Sequence, residues 1–233
     1  MNTADAAIRE TGAAVARHLI PFVVWIGIMS LPMRDVALHY TLQTSVSLLV
    51  LLVLKPWRYY AALKIRLLPL GVLVGVGVAA IWIFSETLCI HQFSNIHRFY
   101  VHYFIWGKGQ GNGPLYAPEQ CGWTFSLIRL AGSALVIAVI EEFFWRGFFM
   151  RMLAKGDFLS VDPRKIGWGV ISVVALVFGF EHGDRWLVGL MAGLAYGLLY
   201  RLKGDLAAVV VAHVTTNYLL GLYVLANGAY QFW

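Results

Sequence analysis

Two adjacent glutamates and an arginine lie in the middle of an apolar stretch, where charged side chains are rare. Glu141, Glu142 and Arg146 stand within VIEEFFWRGFF. Successive helix residues are rotated by about 100°, so Glu142 and Arg146, at i and i+4, share a face while Glu141 points elsewhere. We therefore expect Glu142 to pair with Arg146 and Glu141 to remain unpaired. An unpaired carboxyl group in apolar surroundings is a stronger base than an exposed one, which suits a general base. The alternative is a structural ion-pair network of both glutamates with Arg146 or Arg129.

A histidine and an asparagine form a second polar pair in a later apolar stretch. His213 and Asn217 stand at i and i+4 within AHVTTNY, so both side chains project from one side of a helix. Two aimed hydrogen-bond donors are what a developing oxyanion needs, and each can contribute about 3 kcal/mol in a site with little water. The alternative is that both side chains bond to a neighbouring helix.

A third polar group ends the apolar stretch between these two. His182 follows Phe178 by four residues within FGFEH, and Glu181 and Asp184 stand beside it. His182 can orient a water molecule or share its proton with Glu141. The alternative is that residues 182–184 (HGD) form a polar outer cap. The number of residues between each polar group and the cytoplasmic end of its predicted helix places all three groups in the middle of a membrane. This count does not establish contact between them.

The composition identifies the elements that must position these residues as membrane-spanning helices. The chain has 233 residues, of which 60% are hydrophobic and 13% are charged, against about 25% charged in soluble domains. Several apolar runs approach the ~20 residues that cross a bilayer. The formal charge is +6, but the basic residues lie in short loops rather than in one patch, so a nucleic-acid partner is excluded. We predict an all-α, polytopic helical bundle forming a single integral membrane domain over residues 1–233.

Apolar length, helix breakers and flanking charge predict seven spans. An aromatic segment at 96–106 is predicted to lie in the interface or to re-enter, which leaves eight membrane segments as an alternative. The predicted spans are 18–32, 36–54, 68–90, 124–150, 166–182, 186–200 and 206–226.

Glycines recur at four-residue spacing in two of the predicted spans. Gly189, Gly193 and Gly197 align on one face of the sixth span, and Gly71 and Gly75 give a shorter version in the third. Faces without side chains let helices approach closely. We therefore predict close helix packing at these faces and no chemistry.

Basic residues in alternate loops predict the orientation. Twelve lysines and arginines fall on one side and four on the other, so the N-terminus is predicted to be cytoplasmic. The loop 91–123 then faces outward, with Cys89 and Cys121 near its ends. An oxidising compartment would permit a disulfide between them, and two unpaired thiols are the alternative.

Taken together, the three polar patterns resemble a known family. Two glutamates with an arginine four residues after the second, a phenylalanine with a histidine four later, and a histidine with an asparagine four later follow one another on successive late spans. In this order they resemble the CAAX prenyl endopeptidase and bacteriocin-processing (abortive-infection) family of intramembrane glutamate-type proteases. The resemblance covers about residues 124–226, which we predict to be the catalytic half.

The resemblance implies a mechanism and a setting. Glu141 and His182 would activate a water molecule that attacks a peptide carbonyl, and His213 and Asn217 would stabilise the oxyanion, without a cofactor, a metal or a covalent intermediate. The implied partners are the lipid bilayer and a membrane-embedded or lipid-anchored protein or peptide substrate, which in eukaryotic family members carries a prenylated cysteine. Short loops and the lack of a soluble domain favour the bacterial inner membrane. The supporting residues would be Glu142, Arg146 and Phe178.

Two other functions use the same residues. A metallopeptidase could gather zinc with Glu141, Glu142, His182 and His213, although no HExxH motif is present. A transporter or a non-catalytic membrane scaffold could use the buried polar residues as a proton relay or a ligand pocket.

Overall fold

The computed structural model describes residues 3–62, 64–92, 94–105 and 113–233. Within these ranges the chain is a bundle of helices joined by short turns, so the predicted all-α membrane bundle is confirmed. Each of the seven predicted spans overlaps a helix, and the number of membrane crossings stays a prediction. The principal helices are α1 (Thr3–Met29), α2 (Val36–Leu54), α3 (Leu68–Gln92), α4 (Ser94–Phe104), α5 (Trp123–Ala154), α6 (Trp168–Glu181), α7 (Trp186–Lys203) and α8 (Leu206–Asn227).

Several helix ends coincide with residues that satisfy the terminal peptide groups. Asp35 and Asp205 precede α2 and α8, and each carboxylate accepts a hydrogen bond from the N–H three residues later, at 2.9 Å and 3.1 Å. Such N-caps satisfy donors that have no partner inside the helix. Helix α7 ends at Gly204, whose φ of 62° lies in the left-handed region that glycine adopts without strain.

Helix length and apolar composition together decide which segments can cross a membrane. Among the described residues, five helices are long and apolar enough to cross: α1, α2, α3, α5 and α8. Helix α6 has 14 residues and so extends only about 21 Å, less than the ~30 Å of a hydrocarbon core. Helix α4, in the predicted aromatic segment, has 11 residues and is too short to cross.

The outer surface of the bundle is apolar. Leu49, Val53 and Leu73 expose 62%, 67% and 67% of their surface. Contiguous apolar surface on this scale is unfavourable in water but not in lipid. The outward faces of α2 and α3 therefore suit contact with acyl chains.

Glycine faces bring the helices of the site together, as predicted. A Cβ atom at Gly193 of α7 would lie 2.9 Å from the Cα of Ala175 on α6, and one at Gly71 of α3 would lie 2.7 Å from the carbonyl oxygen of Ala208 on α8. Gly189 and Gly197 face α6 in the same way. These contacts leave no room for a side chain, so they fix the spacing of α6 with α7 and of α3 with α8.

Helix α5 is not a regular α-helix. Two π-helical segments, Gly132–Ile137 and Phe143–Phe149, flank the α-helical stretch Ala138–Glu142. A π turn bonds i to i+5, which widens the helix and rotates the side chains that follow. The two glutamates therefore lie between two distorted turns, a position that π-helical segments often take at functional sites.

One predicted contact lies outside the described residues. The Cys121 thiol lies 3.2 Å from the carbonyl oxygen of Ala117, but the side chain of Cys89 is not among those described. The disulfide therefore remains a prediction.

Candidate active site

A buried network links α5 to α8. Arg146 Nη1 donates to Glu142 Oε1 at 2.9 Å, which is the pairing that the i, i+4 spacing predicts, and His213 Nδ1 lies 2.8 Å from the same oxygen. Glu142 and Arg146 have no solvent-exposed surface, and His213 exposes 3%. One carboxylate oxygen thus holds both the arginine of its own helix and a histidine of another.

Backbone and aromatic groups complete the surroundings of Arg146. Its Nη2 donates to the carbonyl oxygen of Gly193 on α7 at 3.2 Å, and its guanidinium lies 4.4 Å from the ring centre of Phe178 on α6. A cation against a ring face gains electrostatic attraction, and more so when water is excluded. Arg146 therefore ties α5 to the two helices that flank His182.

Glu141 faces the same histidine from the other side. Its Oε2 lies 3.7 Å from His213 Nε2, and that oxygen is buried without a hydrogen-bond partner among the described residues. The predicted pairing of Glu142 with Arg146 is confirmed. Glu141, which was predicted to remain unpaired, takes no part in that ion pair but lies within 4 Å of His213. A buried carboxylate oxygen without a donor is costly, so it is a position at which a water molecule or a substrate group would be bound.

His182 begins the turn that follows α6. Its Nδ1 lies 2.8 Å from the carbonyl oxygen of Phe178, and its ring packs against the rings of Phe178 and Trp82, with centres 4.5 and 5.4 Å away. A ring nitrogen beside a carbonyl oxygen carries the proton, so Nε2 is the nitrogen left as an acceptor. The four-residue spacing of Phe178 and His182 therefore serves to orient the imidazole.

Asn217 is anchored on the first π segment of α5. Its Nδ2 donates to the carbonyl oxygen of Ser133 at 3.0 Å, which also accepts the backbone N–H of Ala138. An amide nitrogen has two hydrogens. One is held by Ser133, and the second remains available to another acceptor.

One cavity collects three of the four predicted catalytic side chains. It has a volume of about 170 Å³, and His182, His213 and Asn217 line it. Glu141, the fourth, is not among the described residues that line this cavity. His213 both lines the cavity and reaches Glu141, so it connects the buried carboxyl group with the open space. The other lining residues are Trp82, Arg129, Ser133, Phe178, Ala192, Tyr196, Thr216, Leu220, Gly221, Phe232 and Trp233.

Tyr196 is a lining residue that the sequence patterns missed. Its ring stacks on His213 with centres 4.9 Å apart, and its hydroxyl donates to Thr216 Oγ1 at 2.7 Å. Thr216 in turn donates toward the carbonyl oxygens of Gly75 and Ala212, at 3.0 and 3.1 Å. The only sequence signal was a tyrosine between Gly193 and Gly197, and a single aromatic residue in a span is usually packing.

A second buried ion pair holds the turn after His182. Arg185 donates to both carboxylate oxygens of Glu86 on α3, at 2.6 and 3.1 Å, and to Asp184 at 3.0 Å. Glu181 accepts a hydrogen bond from Trp145 Nε1 at 2.9 Å. These residues bind the turn to α3 and to α5, on two sides of His182.

A metal site needs several His, Cys, Asp or Glu side chains gathered around one point. Within the part of the chain that the structure describes, no group of three or more His, Cys, Asp and Glu side chains is placed to hold a metal ion. Glu142, His182, His213 and Asn217 instead contact one another's helices or backbone carbonyl oxygens.

Comparison with known proteins identifies the segment that carries this site. Residues 123–219 match the family model of type II CAAX prenyl endopeptidase Rce1-like proteins. No curated protein and no solved structure matches the chain. The match begins at the start of α5 and includes Glu141, His182, His213 and Asn217. Residues 123–219 are therefore similar to the Rce1-like family over the segment that carries the candidate site.

Proposed function

We propose that the chain is an intramembrane endopeptidase that hydrolyses a peptide bond with a water molecule activated by Glu141 and His182. His213 and Asn217 bind the oxyanion that forms on the attacked carbonyl. The observation that carries this proposal is the cavity lined by His182, His213 and Asn217, with the unpartnered Glu141 oxygen 3.7 Å from His213. The family match supports the reaction class.

The proposed reaction uses a proton cycle with no covalent enzyme intermediate. Glu141, as a carboxylate, takes a proton from a water molecule that His182 Nε2 orients, and the hydroxide oxygen bonds to the carbonyl carbon. The tetrahedral intermediate carries its negative charge on the former carbonyl oxygen. The proton returns to the amide nitrogen as the carbon–nitrogen bond breaks, which releases an amine and a carboxylic acid.

The two oxyanion donors are prepared by the contacts already described. Glu142 holds the His213 ring through Nδ1, and Ser133 holds one hydrogen of Asn217 while the other is available. Preorganised donors of this kind need no rearrangement during the reaction, and each contributes about 3–4 kcal/mol. Arg146 and Phe178 support the site because they fix Glu142 and the His182 turn.

The setting proposed for this activity is the bacterial inner membrane, with the N-terminus in the cytoplasm and residues 1–233 acting as one domain. The substrate is a membrane-embedded or lipid-anchored protein or peptide. The apolar outer surface and the burial of the site within the bundle favour a substrate that reaches it from the bilayer.

Cleavage by the purified chain in liposomes tests the proposal. The substrates are membrane-anchored peptides with and without a prenyl group, and the proteins are wild type, Glu141→Gln, His213→Ala and the control Glu119→Gln, which makes the same change at an exposed position. We expect chelator-resistant cleavage that falls roughly 10²–10⁴-fold in the two site variants and is retained by Glu119→Gln. Undiminished cleavage by folded Glu141→Gln would contradict the mechanism.

The same assay separates the two alternatives. A metallopeptidase predicts that chelation abolishes cleavage and that added metal restores it. A transporter or scaffold predicts no cleavage, while the Arg146–Glu142–His213 network would still be needed for folding.

A further inference from the structure

A cavity of about 350 Å³ lies between the end of α5 and the beginning of α6, on the side of the bundle predicted to face the cytoplasm. Two lysines, Lys155 and Lys165, line it together with apolar side chains that include Leu153, Val161 and Val170. The proposed peptidase reaction uses none of these residues. The cavity therefore places two cations beside apolar surface at the level where both helices leave the membrane.

The loop that forms this cavity is anchored to two helices. Arg151 of α5 is buried and donates from Nη2 to the carbonyl oxygens of Leu159 and Val161, at 2.9 and 3.1 Å. From the other side, Arg201 of α7 donates to the carbonyl oxygen of Ile166. Hydrogen bonds from a charged donor are stronger than neutral ones. The cavity is therefore a formed site between fixed walls.

The positive charges in the wall of the cavity are not neutralised by the protein. Among the described lining residues Asp162 is the one acid, and its Oδ1 already accepts from the backbone N–H and the Nε of Arg164, at 3.1 Å each. Lys155 donates to the uncharged Ser160 Oγ at 3.2 Å. The ion pairs of the described residues include neither Lys155 nor Lys165. An anion bound between the two ammonium groups would therefore find attraction from both.

An apolar track leads from the cavity along the outside of α6. Val170 lines the cavity, and Val173 and Val177 follow at three and seven positions, which places all three on one helix face. Val173 and Val177 expose 51% and 40% of their surface. Trp168, at the start of the helix, is 58% exposed, and tryptophan is enriched where a membrane meets water. The surface beside the two lysines therefore suits hydrocarbon chains, which a free phosphate ion does not have.

We propose that this cavity binds an anionic phospholipid. Lys155 and Lys165 contact its phosphate oxygens, and its acyl chains lie along Val170, Val173 and Val177. Basic pockets beside membrane helices on the cytoplasmic side suit anionic headgroups, and each lysine there contributes about fivefold to affinity. The positive end of a zwitterionic headgroup would be repelled by the same two lysines. The site lies apart from the catalytic cavity, so the proposal does not depend on the proposed function.

Binding of defined lipids to the purified full chain tests this assignment. The protein is delipidated in a neutral detergent, and native mass spectrometry of the intact complexes gives the dissociation constant of the first bound lipid. The probes are dioleoyl-phosphatidylglycerol, which is anionic, and dioleoyl-phosphatidylcholine, which is zwitterionic and has the same chains. We expect phosphatidylglycerol to bind at least about 10-fold more tightly. Inorganic phosphate in about 100-fold excess over the lipid should not displace it, because the apolar track holds the chains.

Matched charge-removing variants locate the site. Lys155→Gln/Lys165→Gln should bring the ratio of the two affinities to within about twofold of 1, while phosphatidylcholine binds as in wild type. The control Arg58→Gln/Lys64→Gln removes two exposed charges from another loop on the same side of the bundle and should keep the wild-type ratio. Both lysines of the site are exposed, so their replacement should leave the unfolding free energy within about 0.5 kcal/mol of wild type.

Each remaining outcome overturns the assignment. These outcomes are equal affinity for the two lipids in wild type, an anionic preference that survives in Lys155→Gln/Lys165→Gln, and displacement of the lipid by inorganic phosphate. An equal loss of preference in the control would show that net charge, rather than this cavity, attracts the lipid. None of these measurements involves peptide cleavage, so the lipid site and the proposed peptidase can fail separately.

Discussion

Replacing Glu142 by glutamine should destabilise the bundle by several kcal/mol. Glu142 is fully buried, and its Oε1 accepts from Arg146 at 2.9 Å and lies 2.8 Å from His213 Nδ1. Each hydrogen bond to a charged group contributes about 1.5–3 kcal/mol, and breaking a buried ion pair from one side costs about 3–5 kcal/mol. Glutamine keeps an acceptor oxygen but loses the charge, so we expect a loss of about 3 kcal/mol.

The ion pair itself is isolated by a double-mutant cycle. Arg146→Met removes the cation and keeps much of the apolar volume, and it should also cost about 3 kcal/mol because Glu142 then remains buried with only His213. The double variant has neither charge, so we expect it to be more stable than the sum of the single losses predicts, by about 2–3 kcal/mol.

The assay is reversible unfolding in mixed micelles of a mild detergent and dodecyl sulfate, followed by tryptophan fluorescence. Glu119→Gln, an exposed glutamate, is the control and should unfold as wild type. A Glu142→Gln protein within about 0.5 kcal/mol of wild type, or single losses that add within that error, would refute the reasoning.

Two further predictions concern the contacts that position the site. Gly75→Ala should lower the unfolding free energy by about 1–3 kcal/mol, because the new Cβ would lie 2.6 Å from the Cβ of Thr215. The control Gly77→Ala, on the same helix, places a Cβ with nothing within 4 Å and should leave the unfolding free energy unchanged. Equal effects of the two substitutions in the same unfolding assay would contradict the packing. Glu86→Gln should destabilise the protein by about 2–4 kcal/mol and lower the rate of cleavage, because Arg185 then loses a bidentate carboxylate beside the His182 turn. Wild-type stability and kcat in this variant would exclude a role of the Glu86–Arg185 pair in positioning His182.

The positions of the helices followed from the sequence because they depend on local properties. Apolar runs predicted spans on α1, α2, α3, α5 and α8, which are the five described helices long and apolar enough to cross. They also predicted spans on α6 and α7, which are not among those five. The glycine face of α7 packs closely, as its spacing predicted, and the structure shows that it packs on α6. These predictions needed only the composition of each segment and the period of an α-helix.

The Glu142–Arg146 pair was equally local. Residues at i and i+4 are neighbours on any helix whatever surrounds them, and the second π segment did not separate them. The orientation of His182 by the carbonyl oxygen of Phe178 is another i, i+4 contact. Both are decided by residues on one helix or at its end.

Contacts between helices could not be obtained in this way. The sequence placed His213 beside Asn217 on one helix face, but it did not show that His213 reaches Glu142 or that Asn217 bonds to Ser133. Such contacts depend on the rotation and depth of each helix relative to its neighbours. A shift of one residue changes the direction of a side chain by about 100°.

The sequence by itself therefore determined which polar residues enter the membrane and which of them pair within a helix. Only the tertiary structure decided that Glu142 is shared by Arg146 and His213 and that His213 lines one cavity with His182 and Asn217. The physical reason is that helix registers are set by close packing at glycine faces and by the widened turns of α5, and both arise only when the helices are assembled.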